Sequence, residues 1–429
     1  MKIETNFKET EIGKIPEDWD VVKLSDILSY IIDNRGKTPP LVDNGKLLLE
    51  VFHISRNSLF PNLSTNKKEK RVDEETYNTW FRNGHPKYMD ILFATVGSIP
   101  NWCYAGYNPN YCIAQNLISL RVNSDIISPI YLRSYFDSYL FLNQFNANVK
   151  HNPQPNIRKT DLFNLKVVVP NNKEEQEKIA DFLGTIDDKI ELNNAINKKL
   201  EETAQALFKS RFIDYEPFKD GEFIDSEIGK IPMGWRVEMI SNLFEVKDGT
   251  HESPKQSSEG KFLVTSKNIG DNFIDFTNAY YISEYDYNDI NKRSKVDTND
   301  ILISMIGTIG NLILIKNKNI NFAIKNIGLF KSSQRPDLTE YIYMYLKSIY
   351  GSSYILNNLS GSTQQYITLK SLRSIPVIIP NDNILKKYVL NVKLFFEIIN
   401  SNIIQNQKLT EIKSYYLPKL ISGKIRLVD

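Results

Sequence analysis

The sequence predicts an α+β chain with a pseudo-two-fold internal repeat: two tandem α+β units, each followed by a long helix, the helices packing as an antiparallel coiled coil. Three observations predict it. Short motifs recur about 210 residues apart within the 429-residue chain. Each copy mixes short β-rich runs with helical patterns. A long seam of apolar positions at 3–4 spacing follows each copy.

The repeat opens with Glu11-Ile12-Gly13-Lys14-Ile15-Pro16-Glu17-Asp18-Trp19, which returns as Glu227-Ile228-Gly229-Lys230-Ile231-Pro232-Met233-Gly234-Trp235. Asp90-Ile91-Leu92 with Val96-Gly97-Ser98-Ile99 returns as Asp300-Ile301-Leu302 with Ile306-Gly307-Thr308-Ile309. Asn116 matches Asn326, and Val167–Pro170 matches Val377–Pro380. The small drift in offset places insertions in loops. Residues 1–170 and 216–380 are therefore the two units, with helical segments at 171–215 and 381–429. A duplicated unit mimics a homodimer and offers two pseudo-equivalent surfaces.

Within each unit, Leu117–Val122 and Ile301–Ile306 read as strands between Gly, Asn and Pro turns. Ile130–Phe145 and Glu340–Leu356 read as helices whose aromatics pack into a core.

The first long helix is expected from about Glu174 to Phe212, with Asn172 as cap and Glu175 in capping-box position. Its seam is Ile179, Leu183, Ile186, Ile190, Asn193, Asn197, Leu200, Ala204 and Leu207. The second starts near Asn383 and carries Tyr388, Val392, Phe395, Ile399, Asn402, Asn406, Leu409, Lys413 and Tyr416. The seams match at an offset of 209. Antiparallel packing with residue numbers summing to 599 sets Asn193 against Asn406 and Asn197 against Asn402, so polar seam positions specify register. Ile186 then meets Lys413, an apolar–charged mismatch relieved only by snorkelling. Pro418 should kink or end the helix. At 1.5 Å per residue, ~38 residues form a spacer of roughly 57 Å.

Composition is ordinary for a soluble globular chain, with 41% hydrophobic and 24% charged residues, which excludes wholesale disorder. No apolar run has the length of a membrane span, and the first residues lack an apolar signal core. Net charge is +2, so charge alone does not announce nucleic acid. Two cysteines, Cys103 and Cys112, make neither a disulfide framework nor a cysteine-rich zinc site. A reducing cytoplasm is the simplest setting. Four scattered histidines show no metal spacing, and no metal is expected. The chain has no phosphate-loop GxxxxGK[ST], no GxGxxG after a strand and no GxSxG elbow. Pro39-Pro40 lacks the preceding Asn of an amino-methyltransferase motif. No catalytic residue is assigned.

The tandem units, the opening Ile-Gly-Lys-Ile-Pro-x-x-Trp and the helix Glu174-Glu175-Gln176-Glu177-Lys178-Ile179-Ala180-Asp181-Phe182-Leu183 resemble the DNA-specificity subunit of type I restriction-modification systems. Asp187-Asp188-Lys189-Ile190, Leu207–Phe212 and Leu420–Ile425 also resemble that family's helical regions. The resemblance spans essentially the whole chain. It implies that 1–170 and 216–380 are target recognition domains 1 and 2, and that 171–215 and 381–429 are the central and C-terminal conserved helices. Each domain would read one half of a bipartite double-stranded DNA target, with the gap set by the helix pair. Implied partners are methyltransferase subunits, two of them expected, and restriction/translocase subunits. S-adenosylmethionine, ATP and Mg are expected in those partners and none in this chain. A duplicated scaffold that docks other proteins, without DNA, is the competing reading.

Candidate DNA-contacting residues follow from the repeat together with the resemblance, since the aligned loops resemble those near the start of the family's recognition domains and its Gln-containing turn. Asp33–Pro39 aligns with Asp248–Pro254, and Ser55-Arg56-Asn57 with Ser266-Lys267-Asn268. Arg and Lys donate to guanine or phosphate, and Asn can pair adenine bidentately. Arg35, Lys37, Arg56, Asn57, Thr250, His251, Lys255, Lys267 and Asn268 are the first choices, against the alternative that they are turn residues with solvated charges. Lys67, Lys68 and Arg71, and likewise Lys292 and Arg293, form short basic patches that serve as solvated loops or phosphate contacts. Gln154 and Asn156, aligned with Gln364, lie in turns that either cap a helix or touch a base.

Overall fold

The computed structural model describes residues 6–34, 36, 38–63, 68–150, 154–270, 273–276 and 278–427. Arg35, Lys37 and Lys67 lie outside them. The chain divides into two compact units, Met1–Asn193 with Gln405–Asp429, and Asn194–Ile404. Each unit therefore takes part of both long helices, where the sequence reading had set the helical segments apart from the units.

In the first unit an antiparallel four-stranded sheet runs in the order Leu28–Ile32, Leu117–Val122, Ile91–Ala94, Trp102–Tyr104. A three-stranded sheet places Lys46–Leu49 between Lys70–Val72, antiparallel, and Tyr111–Ile113, parallel. Strand Ile91–Ala94 is buried at every residue, which is why its sequence is a continuous apolar run rather than an alternation.

The second unit repeats this topology. Its four-stranded sheet is Val246–Asp248, Ile327–Phe330, Ile301–Ser304, Leu312–Leu314. Its three-stranded sheet sets Lys261–Thr265 between Tyr280–Ile282 and a parallel Phe322–Lys325. Finer details are duplicated too. Tyr131 Oη donates to Val168 O at 3.1 Å and Tyr341 Oη to Ile378 O at 2.5 Å. Tyr135 and Tyr345 make the matching bonds to Lys166 O and Pro376 O. Asp90 pairs with Arg121, and Asp300 with Lys331 at the equivalent position.

The helix expected over Ile130–Phe145 is two helices, Pro129–Phe136 and Tyr139–Asn148. That over Glu340–Leu356 is Thr339–Lys347 and Ile349–Asn357. A serine breaks each. Ser138 and Ser348 have extended backbones, and Ser138 Oγ accepts the Phe141 N–H as a cap. Aromatic spacing runs through the break and hides it.

The long helices span Lys173–Phe212 and Asp382–Ile421. Asn172 Oδ1 accepts the Glu174 N–H at 2.9 Å, as a cap should. The capping box does not form at Glu175. Its buried carboxylate instead accepts Trp19 Nε1 at 3.1 Å and Arg426 Nη2 at 2.7 Å, while Arg426 also grips Asp18. The opening Trp is thus tied to the end of the chain. Gly423 completes the tie: its φ is +67°, and a Cβ there would meet Pro16 Cγ.

Pro418 does not end the second helix, which continues to Ile421. Leu417, Leu420 and Ile421 are buried in the first unit's core, and that burial offsets the ~3 kcal/mol cost of an interior proline.

In the first unit, Asn193 Nδ2 donates to Asn406 Oδ1 and to Gln405 Oε1, both at 2.8 Å. In the second, Asn402 Nδ2 donates to Asn197 Oδ1 at 2.8 Å. Lys413 does not snorkel. Its ammonium meets Asp187 at 2.8 Å and Asp137 at 3.2 Å, and Arg133 meets the same Asp187 at 2.8 Å.

Candidate nucleic-acid interface

Four loops converge in each unit: the one opening with Asp33 or Asp248, the Ser-x-Asn turn, the glycine loop after the central strand, and the Gln-containing turn. In the backbone of the first unit, Gly97 N–H donates to Pro155 O at 2.9 Å and Val96 bridges Asn156. Asn101, at the end of that glycine loop, accepts the Arg56 N–H at 3.2 Å. Lys159, just past the Gln turn, pairs with Asp33.

In the second unit a continuous chain of bonds makes the same junction. Arg293 pairs with Asp248, and Asp248 Oδ2 lies 3.1 Å from His251 Nε2. His251 Nδ1 lies 2.9 Å from Asn326 Oδ1, whose backbone carbonyl accepts Ser266 Oγ at 2.6 Å. Ser266 Oγ in turn accepts the Met305 N–H, and Met305 O accepts from Ile367 in the Gln hairpin.

The Ser-x-Asn turns show how one cation is presented. Arg56 is exposed while its backbone is held at both ends: its N–H by Asn101, its carbonyl by Arg133 Nη2 at 3.3 Å. Lys267 is exposed between two buried neighbours, Ser266 and Asn268. A pinned backbone fixes where each side chain is rooted, so that its rotamer freedom is what remains to be lost on meeting a ligand.

These two units fit one family. A model of the type I restriction modification DNA specificity domain matches residues 16–202 and 232–414. The chain belongs to the type I restriction-modification DNA specificity family. Each match spans most of one copy plus most of the helix after it. The specificity subunit of type I restriction enzyme MjaIX from Methanocaldococcus jannaschii is 27% identical over 99% of this chain and 98% of its own length. The HindI specificity subunit from Haemophilus influenzae is 26% identical over 74% of this chain and 82% of its own. The crystal structure of a type I S subunit from M. genitalium shares the fold, with a TM-score of 0.51 and 16% identity across 98% of each chain.

In this specificity chain the predicted contact residues separate. Asn57 is exposed beside Arg56, its N–H on Ser55 Oγ. Thr250 is a turn residue: its Oγ1 accepts the Glu252 N–H at 3.1 Å. His251, Lys255, Lys267 and Arg293 are exposed. Asn268 is not available to a base. It is buried, with Oδ1 accepting from Thr265 N–H at 2.8 Å and Nδ2 donating to Asp275 O at 3.1 Å. Gln154 is exposed, whereas Asn156 is half-buried and bonds through its backbone to Lys150. Gln364 is exposed in its hairpin.

The basic patches divide likewise. Arg71 is engaged by Glu69 at 2.6 Å and by Gly45 O at 2.9 Å, on an edge strand of the three-stranded sheet. Lys68 is exposed next to it, and Lys292 pairs with Asp289 at 3.0 Å.

Asp33, Asp248, Asn326 and Lys159 went unselected because an acid or an unremarkable amide is not a DNA donor. Their signal was positional: Asp33 and Asp248 begin aligned loops, and Asn326 keeps its repeat offset from Asn116. Among the described residues no His, Cys, Asp and Glu group could hold a metal, and no helix is long and apolar enough to cross a membrane.

Proposed function

We propose that this chain is the sequence-reading subunit of a type I restriction-modification complex, its two four-loop clusters each reading one half of a bipartite double-stranded DNA target. The observation that carries the reading is the duplicated exposed cation, Arg56 and Lys267, on an anchored turn at the same place in both copies of a DNA-specificity domain. A guanidinium or ammonium so held donates to a guanine edge or a phosphate, and rigid placement is what turns contact into discrimination. The role is recognition, without catalysis.

The long helices set the gap between half-sites in this reading. Each is 40 residues and contributes residues to both units. Two methyltransferase subunits dock on the paired helical regions and supply S-adenosylmethionine; restriction/translocase subunits supply ATP- and Mg-dependent steps. With a net charge of only +2, the chain leaves part of the phosphate binding to those partners.

The test is an exchange of residues 1–170 for those of a family member with a different target, followed by methylome sequencing of cells carrying the methyltransferase partner. One half-site should change while the other half and the gap persist. Change in both halves refutes one-unit-one-half reading. Absence of any target-bearing gel shift, with the methyltransferase present, favours the protein-docking scaffold instead.

A further inference from the structure

We infer that Asp33 and Asp248 are positioning residues for specificity: a buried acid in each unit, at the same repeat position, aims a different cation at the DNA, Lys159 in the first unit and Arg293 in the second. This rests on the reading above and adds what distinguishes the two half-sites.

Both carboxylates are nearly closed off, with side chains 8% and 6% exposed. Their partners are not. Lys159 on Asp33 is 39% exposed, and Arg293 and His251 on Asp248 are 58% and 62% exposed. Each buried acid takes one donor of a cation's head group, Lys159 Nζ or Arg293 Nη2, and so fixes where that head sits while its other N–H groups stay toward solvent.

The partners come from different elements. Lys159 opens the short helix after the Gln turn, so Asp33 joins its loop to that turn. Arg293 lies in the last turn of helix Glu284–Ser294, and His251 is three residues along the loop itself. The segment corresponding to 293 is represented in the first unit by Asn83, whose Nδ2 donates to the Asp33 carbonyl at 2.5 Å rather than to its carboxylate. The acid is retained, and it meets Lys159 in the first unit and Arg293 in the second. His251 is further clamped from its other nitrogen by Asn326 at 2.9 Å. With both ring nitrogens so engaged, His251 fastens the loop, and the guanidinium N–H groups of Arg293 that Asp248 does not take are the donors left to face a base edge.

The experiment uses the full chain with its methyltransferase partner and a duplex library randomised across both half-sites. Asp248→Asn keeps volume and removes charge. It should lower discrimination at one or two base pairs of the second half-site by about tenfold, leaving the first half-site intact. Asp33→Asn should do the reverse. His251→Gln, at an exposed position, removes one of the groups on Asp248 while keeping its charge and should shift preference at the same half-site as Asp248→Asn, and Asp248→Glu should restore part of the preference. Unchanged consensus in all variants, or uniform loss of affinity across every sequence, overturns the inference while the bipartite wild-type consensus stands. A wild-type complex with no bipartite consensus overturns the inference and the reading beneath it together.

Discussion

Lys413→Met is the sharpest probe of the helix pairing in the first unit. Four charges meet there and cancel: Lys413 and Arg133 against Asp137 and Asp187, with side chains only 15%, 3%, 16% and 12% exposed. At 2.8 Å, one Lys413–Asp187 contact is a gross attraction of about 6 kcal/mol at an effective dielectric of 20. Most of that repays desolvation, and removing one member of a buried pair costs about 3–5 kcal/mol because a charge is left uncompensated. Methionine keeps the stem's volume, so lost packing adds little. Adding Asp187→Asn restores neutrality around Arg133 and Asp137, and the double variant should be more stable than the single one. Hydrogen exchange of the full chain reads this locally in amides of 183–190 and 409–416, which avoids assigning one unfolding transition to two units. Loss below about 1 kcal/mol for Lys413→Met, or a double variant less protected than the single, would refute the assignment.

Three further outcomes are expected. Arg56→Ala should weaken binding to the cognate first half-site by about 1–3 kcal/mol while scarcely changing non-specific affinity, measured by salt-matched titration; equal losses would make Arg56 a phosphate contact. Asn193→Leu should cost about 1–3 kcal/mol of local stability by stranding the Asn406 and Gln405 oxygens, whereas Asn193→Leu with Asn406→Leu should recover much of it and loosen register, read by cysteine cross-linking along the seam. The Asp18 carboxyl is held below the usual carboxylate range by its hydrogen bond to Arg426, so its contribution is present above the unfolded value of 3.8 and is lost as pH falls through the lower folded value. Melting of Asp18→Asn should accordingly start lower at neutral pH and decline less on acidification.

The duplication was legible because motifs returned at a nearly constant offset, though the order of the strands was not, and the antiparallel seam was legible because Asn193, Asn197, Asn402 and Asn406 are polar where their neighbours are apolar. Periodicity reports which face a residue occupies; it does not report the partner of a charge. Lys413 therefore read as a defect in the seam, when Asp187 stands one position from the residue aligned opposite and Asp137 comes from a separate helix. Glu175 read as half of a local capping box, when its partners are Trp19 and Arg426, far off in sequence. The breaks at Ser138 and Ser348 were hidden because aromatic spacing continues through them, while a cap depends on backbone conformation. At the candidate interface, residue type drew attention to Asn268, and burial removed it; position drew none to Asp248, around which the exposed cations are arranged.

That contrast bears on how two copies of one domain can read different DNA. A duplicated framework constrains what must stay: the strand pairs, the Tyr131 and Tyr341 bonds to the last strand, and the Asp90 and Asp300 ion pairs all keep their places. Had the DNA-facing donors been part of this framework, changing a half-site would have cost stability. Instead, the acid at 33 and 248 stays and meets a cation from Lys159 in one unit and from Arg293 in the other. The unsatisfied-carboxylate penalty is thereby met by any correctly placed cation, whichever element supplies it. Recognition can then diverge at exposed positions while the buried requirement remains a single negative charge needing a partner.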